Sequence, residues 1–393
     1  MIHIIFRVLE WIGILGCVSS SIYYLICLWS AAVFLRARKA GEGARSTQAL
    51  SLPAVSILKP LKGTDPDIYE SFRSHCLQDY PEYEIIFGVS DPEDPAIASV
   101  QQLQREFPDR MIRLVLCPNQ LGPNVKVSNL EQMLPTARYH YLLVNDSDIR
   151  VEKDYLRRVI APLADERVGM VTCLYRGVAA PTFGSKLESL GISTDFCAGV
   201  LVARQLEGGL RFGLGSTLAF RRADLERIGG FRSIVDFLAD DYELGRRFAN
   251  LGLGVLLADV VVETHLPAYD LESFLAHQLR WARGVRDSRA GGYIGLVSTY
   301  GLMWALLTVI SSGAVAWSWV VLGATALLRL AVAIVVGKLV LEDGGLLRNL
   351  WLLPIRDLVA VGVWIASFAG HTVTWRSDRF VLKNGRLTRV VQG

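Results

Sequence analysis

Cysteine is scarce and unpaired in this chain. Six cysteines stand among 393 residues, at positions 17, 27, 76, 117, 173 and 197. No Cys-x-x-Cys occurs and no zinc-ligand spacing is present, so the sequence offers neither a cysteine zinc site nor a redox dithiol. Six reduced thiols, cytosolic or intramembrane, are expected. An excess of charge of one sign is also missing. Forty-one basic residues against 38 acidic ones leave a net charge of +3, which gives no footprint for nucleic acid. Internal repeats and low-complexity segments are absent as well.

Apolar residues, by contrast, are plentiful. They make up 51% of the chain, and the mean hydropathy is +0.33. The excess is concentrated. Residues 11–35 carry no acidic or basic side chain and are long enough to cross a bilayer, which takes about 20 residues. Arg36, Arg38 and Lys39 follow at once, and positive charge on that flank puts the following chain in the cytoplasm. The run is too long for a cleaved signal peptide and no small-residue cleavage site follows it, so an anchor is expected. A second apolar block, 294–340, fits two spans with a turn near 313–319. A third, 350–373, is interrupted by Pro354, Arg356 and Asp357 and reads as a fourth span or an interfacial helix. Four spans return the basic C-terminal tail (Arg376, Arg379, Lys383, Arg386, Arg389) to the inside. The expected division is an anchor at 1–40, a cytoplasmic domain at 41–290, membrane helices at 291–375 and a basic tail at 376–393, with 40–51 as a polar linker.

Between the apolar ends, strand and helix signals alternate. Strands are predicted at 54–58, 83–89, 112–116 and 142–144, and helices at 69–77 and 96–107. Such alternation predicts an α/β domain with a parallel sheet covered on both faces.

Carboxylates gather at the ends of these elements. Asp146 and Asp148 follow the apolar run Tyr141-Leu142-Leu143-Val144 at spacing i, i+2. Ligands of open α/β sheets bind at the C-terminal strand edge, and two carboxylates there are unfavourable unless a cation joins them. Hard oxygen ligands suit Mg²⁺ or Mn²⁺ carrying a diphosphate, although D-x-D also occurs in plain surface turns. Asp91 and Asp94 follow another strand. Asp240-Asp241 opens a helix, where acidic residues are common for dipole reasons alone. His277-Gln278-Leu279-Arg280-Trp281 offers an Arg able to clamp a phosphate beside a Trp that also suits a membrane interface. Residues 187–201 read equally as core or as an interfacial segment that guides a lipid.

Together, the strand-end Asp, D-x-D, D-D and R-W resemble family 2-like glycosyltransferases of the GT-A fold, a Rossmann-like domain. Val55-Ser56-Ile57-Leu58-Lys59-Pro60-Leu61-Lys62-Gly63, Asp94-Pro95-Ala96, Lys126-Val127-Ser128-Asn129-Leu130, Asp146-Ser147-Asp148-Ile149-Arg150-Val151 and Asp241-Tyr242 look like the ceramide glucosyltransferase family. Leu238 to Arg247 and Val262-Glu263-Thr264-His265-Leu266-Pro267 look most like its bacterial hopanoid-biosynthesis branch. The family's Q/R-x-x-R-W has His277 at its first position here.

The resemblance implies an inverting membrane enzyme of the bacterial inner membrane. It would move N-acetylglucosamine or glucose from a UDP-sugar to a lipid hydroxyl, a hopanoid first and a ceramide or other glycolipid second. It implies Asp241 as general base. Asp148 and Asp146 would hold the metal, acting as a Lewis acid on the diphosphate. Asp91, Asp94, Lys126, Asp146, His277, Arg280 and Trp281 would bind the donor. A processive polysaccharide synthase usually needs more spans. A membrane scaffold with a dead transferase domain would be expected to have lost D-x-D, D-D or R-W.

Overall fold

The computed structural model describes residues 1–45, 52–375 and 378–389. The chain forms two compact units, and both are interleaved in sequence. A helical unit comprises Met1–Lys39, Pro181–Gln205 and Ala268–His371; a sheet unit comprises Ala40–Ala180, Leu206–Pro267 and Thr372–Gly393. Each unit thus draws on three separate stretches of the chain.

The sheet unit is built on eight strands. These are β1 (Val55–Leu61), β2 (Tyr83–Val89), β3 (Met111–Leu116), β4 (Tyr141–Val144), β5 (Ile149–Arg150), β6 (Val168–Val178), β7 (Leu218–Arg221) and β8 (Gly254–His265). Their spatial order is β3-β2-β1-β4-β7-β6-β8-β5. The first four are parallel, as the alternation predicts. The sheet then turns mixed, because β7 pairs antiparallel with both β4 and β6 and β5 pairs antiparallel with β8. The expected wholly parallel sheet is corrected on this half. β1 and β2 are buried at every position, so both read as continuous apolar runs rather than alternating ones. β1 also runs past its expected end at Leu58, through Lys59 and Pro60 to Leu61. The helices Ile68–Cys76 and Ala96–Glu106 fall within one residue of their expected bounds.

Three further strands complete this unit. β9 (Thr372–Trp375), β10 (Asp378–Lys383) and β11 (Arg386–Arg389) form an antiparallel sheet. The expected basic tail is thus largely a folded hairpin array; Arg376 lies outside the described residues. Asn384 and Gly385 both have positive φ, at 51° and 75°, the two-residue turn that tight hairpins favour. Val373, Phe380, Leu382 and Leu387 cluster with Leu238. Leu387 N donates to Asp236 O at 2.7 Å and Leu238 N to Gly385 O at 3.0 Å.

Among the described residues, three helices are long and apolar enough to cross a membrane, Ile2–Gly41, Ala316–Val340 and Leu346–Ser367. A helix pair, Ala290–Thr299 and Gly301–Ser311, bends by 51° and counts as a fourth span if taken as one. The first helix continues to Arg45, so 40–45 of the expected linker is helical and 46–51 lies outside the described residues. The break after Ser311 uses Gly313 and Ala314 at positive φ, 74° and 59°. Pro354 sits in the first turn of the helix Leu353–Ser367, where its missing N–H is not needed. All six cysteines are buried and free.

Candidate active site

The turn after β4 carries the first carboxylates, and buried polar groups fix its shape. Asn145, fully buried, donates through Nδ2 to Tyr155 OH at 2.9 Å and to Ser216 O at 2.6 Å. Asp146 N donates to Gly215 O at 3.2 Å. Lys59, buried on β1, donates from Nζ to Asp146 O at 3.0 Å. Ser147 Oγ donates to Asp65 Oδ2 at 2.5 Å, and Thr264 Oγ1 donates to Asp148 Oδ2. A buried lysine beneath an acidic turn stabilises charges that burial alone would oppose. Burial pulls the Lys59 ammonium down to about 7 against the pull of Asp148, Asp146 and Asp65.

Lys126 and the Asp240-Asp241 pair converge on this turn. Asn124 caps the helix Val125–Met133, accepting from Val127 N at 3.1 Å, and donates to Phe237 O at 2.8 Å. That cap sets Lys126, whose Nζ lies 2.7 Å from Asp146 Oδ1 and 3.0 Å from Asp240 Oδ2. Burial opposes the charge on Lys126, but Asp146, Asp240 and Asp241 outweigh it and hold the ammonium above the usual lysine range. Asp241 opens the helix Asp240–Asn250. Its Oδ2 accepts from Gly215 N at 2.8 Å and its Oδ1 from Tyr242 N at 2.7 Å. Gly215 is the pivot: a Cβ there would sit 2.6 Å from Asp146 Oδ2 and 3.5 Å from Asp241 Oδ2. Burial first, then Asp240, raises the Asp241 carboxyl to about 6. Burial and Asp146 raise Asp148 to about 6 as well.

The other sequence-derived candidates are placed as follows. Asp94 is buried, and its carboxylate accepts from Gly63 N at 2.9 and 3.1 Å and from Ala96 N at 2.9 Å; it ties the loop after β1 to the start of the helix Ala96–Glu106. Asp91 is exposed and accepts from Glu93 N at 2.9 Å. His277, Arg280 and Trp281 belong to the helical unit, on the helix Leu271–Ser288. There the His277 ring stacks on Tyr269 at 5.4 Å and lies 5.1 Å from Trp281. Sequence reasoning passed over Lys59 as a strand end and missed Asp65, Asn124, Asn145, Gly215 and Thr264. Of these, only Lys59 left a signal, a lysine inside an apolar strand.

Among the described residues no three carboxylate, His or Cys side chains form a ready metal cage. The donors nevertheless suit Mg²⁺ or Mn²⁺. Such ions take one or two protein carboxylates and complete their shell with substrate phosphates and water. Asp146 and Asp148 are hard oxygen donors that raise one another's need for positive charge, and the Lys126 ammonium already answers it in part.

The sequence pattern of glycosyl transferase family 21 matches residues 12–388. The chain belongs to this family. Among curated family relatives, ceramide glucosyltransferase 3 of Caenorhabditis elegans is 26% identical over 234 residues, 59% of this chain and 50% of that protein. The ceramide glucosyltransferase of Komagataella phaffii is 34% identical over 113 residues, 28% of this chain and 22% of that one. A beta-monoglucosyldiacylglycerol synthase of Trichormus variabilis is 27% identical over 198 residues, 49% and 41%. The chain spans half or less of the length of these proteins. A mannosyltransferase of Pyrobaculum calidifontis, solved with GDP-mannose and Mn²⁺, superposes with TM-score 0.54 at 21% identity, covering 92% of this chain and 99% of that one. That likeness establishes a shared GT-A fold.

Proposed function

We propose that this family 21 member is a membrane-bound inverting glycosyltransferase. It moves N-acetylglucosamine or glucose from a UDP-sugar to the hydroxyl of a lipid, a hopanoid in the first instance. The observation that carries the reading is the meeting of Asp146, Lys126 and Asp241 around Gly215. A donor-phosphate site and a carboxylate raised into the working range of a base share one glycine. The curated relatives, named for sugar transfer to ceramide and diacylglycerol, support a lipid acceptor.

Asp241 takes the proton of the acceptor hydroxyl; its oxygen then bonds the anomeric carbon as the bond to the diphosphate breaks and UDP leaves. A single displacement with one base inverts the centre. Asp146 and Asp148 would hold Mg²⁺ or Mn²⁺, which when bound supplies charge neutralisation on the diphosphate. Lys126 fixes Asp146 and Asp240 and presents positive charge to the donor. Asp94 shapes the loop after β1 for the nucleotide, with Asp91 beside it. The family motif assigns Arg280, with His277, to the departing phosphate and Trp281 to sugar or acceptor. The sheet unit faces the cytoplasm of a bacterial inner membrane, where nucleotide sugars are made.

The test is transfer of radiolabelled sugar from UDP-N-acetylglucosamine and UDP-glucose to a hopanoid polyol, ceramide and diacylglycerol. EDTA is expected to abolish transfer and Asp148→Ala to reduce it by ~10²-fold or more. Full activity in EDTA sinks the metal role. Transfer to ceramide alone replaces the hopanoid. Neither transfer nor UDP-sugar hydrolysis would leave a catalytically dead scaffold.

A further inference from the structure

Beside β5, which follows Asp148, lies a cavity of about 190 Å³, built wholly within the sheet unit. One wall is the helix Ile68–Cys76 with its cap, Leu77. Glu70, Arg73, Ser74 and Leu77 line the cavity at i, i+3, i+4 and i+7, a single helical face. The other wall is the edge of the sheet. Arg176 of β6, Glu263 of β8 and Arg150 of β5 are register partners across three strands, so their side chains share a face. Glu152 and Lys153, just past β5, also line the cavity and are exposed, so it opens to solvent. Two bonds hold the walls at a fixed separation: Ser71 Oγ donates to Asp148 O at 3.3 Å, and Val151 N donates to Ser74 Oγ at 3.1 Å. The cavity is therefore preformed, as small-molecule sites usually are.

Only some of its charges are joined. Arg73 Nε lies 2.7 Å from Glu106 Oε1, outside the lining. Arg176 takes Glu263, with Nη2 at 2.8 Å and Nε at 3.1 Å from Oε1, and the other Glu263 oxygen faces His265 Nε2 at 3.8 Å. Arg150 thus stands opposite a carboxylate that is already committed. Among the described residues it makes no ion pair, and neither do Lys153, Glu70 and Glu152. Two cations and two carboxylates line one space without meeting.

The free groups define the occupant. An anion alone would face Glu70 and Glu152, and a cation alone would face Arg150 and Lys153; like charges brought together are costly. A zwitterion of zero net charge answers both pairs. The fork of Arg150 with the point charge of Lys153 suits phosphate oxygens, and the three N–H donors of a primary ammonium suit the two carboxylates. A quaternary ammonium is held by aromatic faces, and no aromatic side chain lines the cavity, which disfavours choline. A water occupies about 30 Å³ in the liquid, so the space suits a head group and not a drug-sized ligand. We infer that this cavity binds an ethanolamine phosphodiester, either the head group of a phospholipid or the free glycerol ester. The site is separate from sugar transfer and stands or falls independently of that reading.

The test titrates the full-length protein, in an uncharged maltoside detergent, with glycerophosphoethanolamine, glycerophosphocholine and glycerol 3-phosphate by calorimetry. The first is expected to saturate and to bind ~10-fold or more tighter than the other two. Arg150→Gln and Glu70→Gln should each weaken it by ~10-fold or more; Lys153→Gln, at an exposed position, repeats the comparison if either variant does not fold. Nanodiscs of phosphatidylcholine with and without phosphatidylethanolamine separate the two sources. A site filled from the bilayer loses the glycerophosphoethanolamine signal where phosphatidylethanolamine is present, and a site for the free ester keeps it in both; either result supports the ethanolamine phosphodiester. Absence of saturation, equal affinity for glycerol 3-phosphate or for the choline ester, or variants that bind as wild type does, overturns the inference.

Discussion

Asp241 accepts a proton only when ionised, and burial beside Asp240 raises its carboxyl to about 6. The rate of sugar transfer is therefore expected to fall as pH drops through about 6, read from kcat across pH 5–8. Asp241→Asn keeps one of the two bonds from Gly215 N and Tyr242 N, because the amide has a single acceptor oxygen, and removes the proposed base. Turnover should drop by ~10²-fold or more while calorimetry still registers UDP-sugar binding; loss of binding instead would move Asp241 to the donor site. Asp148 gives a prediction of the opposite kind, on stability. Its folded carboxyl is raised to about 6 from 3.8, so the native state binds the proton more tightly than the unfolded chain. The charge thus weakens the fold above about pH 6, and the effect disappears below the unfolded value. Asp148→Asn should raise the melting temperature of metal-free protein at pH 8 and change it little near pH 4. A lower melting temperature at pH 8 would contradict this. These carboxylates were legible in the sequence because each follows an apolar run at short spacing. Lys59 was only half legible: a lysine in an apolar strand marks a boundary until its partner carbonyl, 87 residues later, is known. The pairing of Arg329 with Asp195, 134 residues away, leaves no local trace.

At the scale of elements, the helix Asp240–Asn250 can deliver Asp241 only by approaching the preceding loop very closely. A Cβ at Gly245 would lie 2.3 Å from Gly213 N and 2.4 Å from the Phe212 carbonyl carbon, both backbone. Gly245→Ala is expected to destabilise the protein by ~1–3 kcal/mol and to lower transfer by shifting Asp241. The alanine would otherwise favour a helix, so a stabilised variant would show that the loop yields freely. The parallel strands β1 to β4 were legible because their apolar runs are short and bounded. The mixed half was not, since β7 has four residues and β5 two, too few to show a period. The C-terminal hairpin had its signal in Asn384-Gly385, outweighed in the reading by the basic residues around it.

For the whole molecule, the side of the membrane is the open prediction. Arg36, Arg38 and Lys39 end the first apolar run, and positive residues stay inside. A cysteine introduced near Gly63 should resist an impermeant thiol reagent in intact cells and react after lysis; labelling of intact cells would reverse the orientation. The interleaved units have a further consequence, for synthesis. A chain emerges from the ribosome in order, and domains fold as their residues appear. The segment Asp236–Leu238, just ahead of Asp240 and Asp241, is held by backbone bonds to Gly385 and Leu387. Those residues are translated after every apolar helix of the other unit. The nascent protein can therefore be inserted while the loop ahead of Asp240 and Asp241 still lacks these ties. On the proposed reading, competence to transfer sugar waits on residues 385–387, a delay between membrane insertion and the start of catalysis.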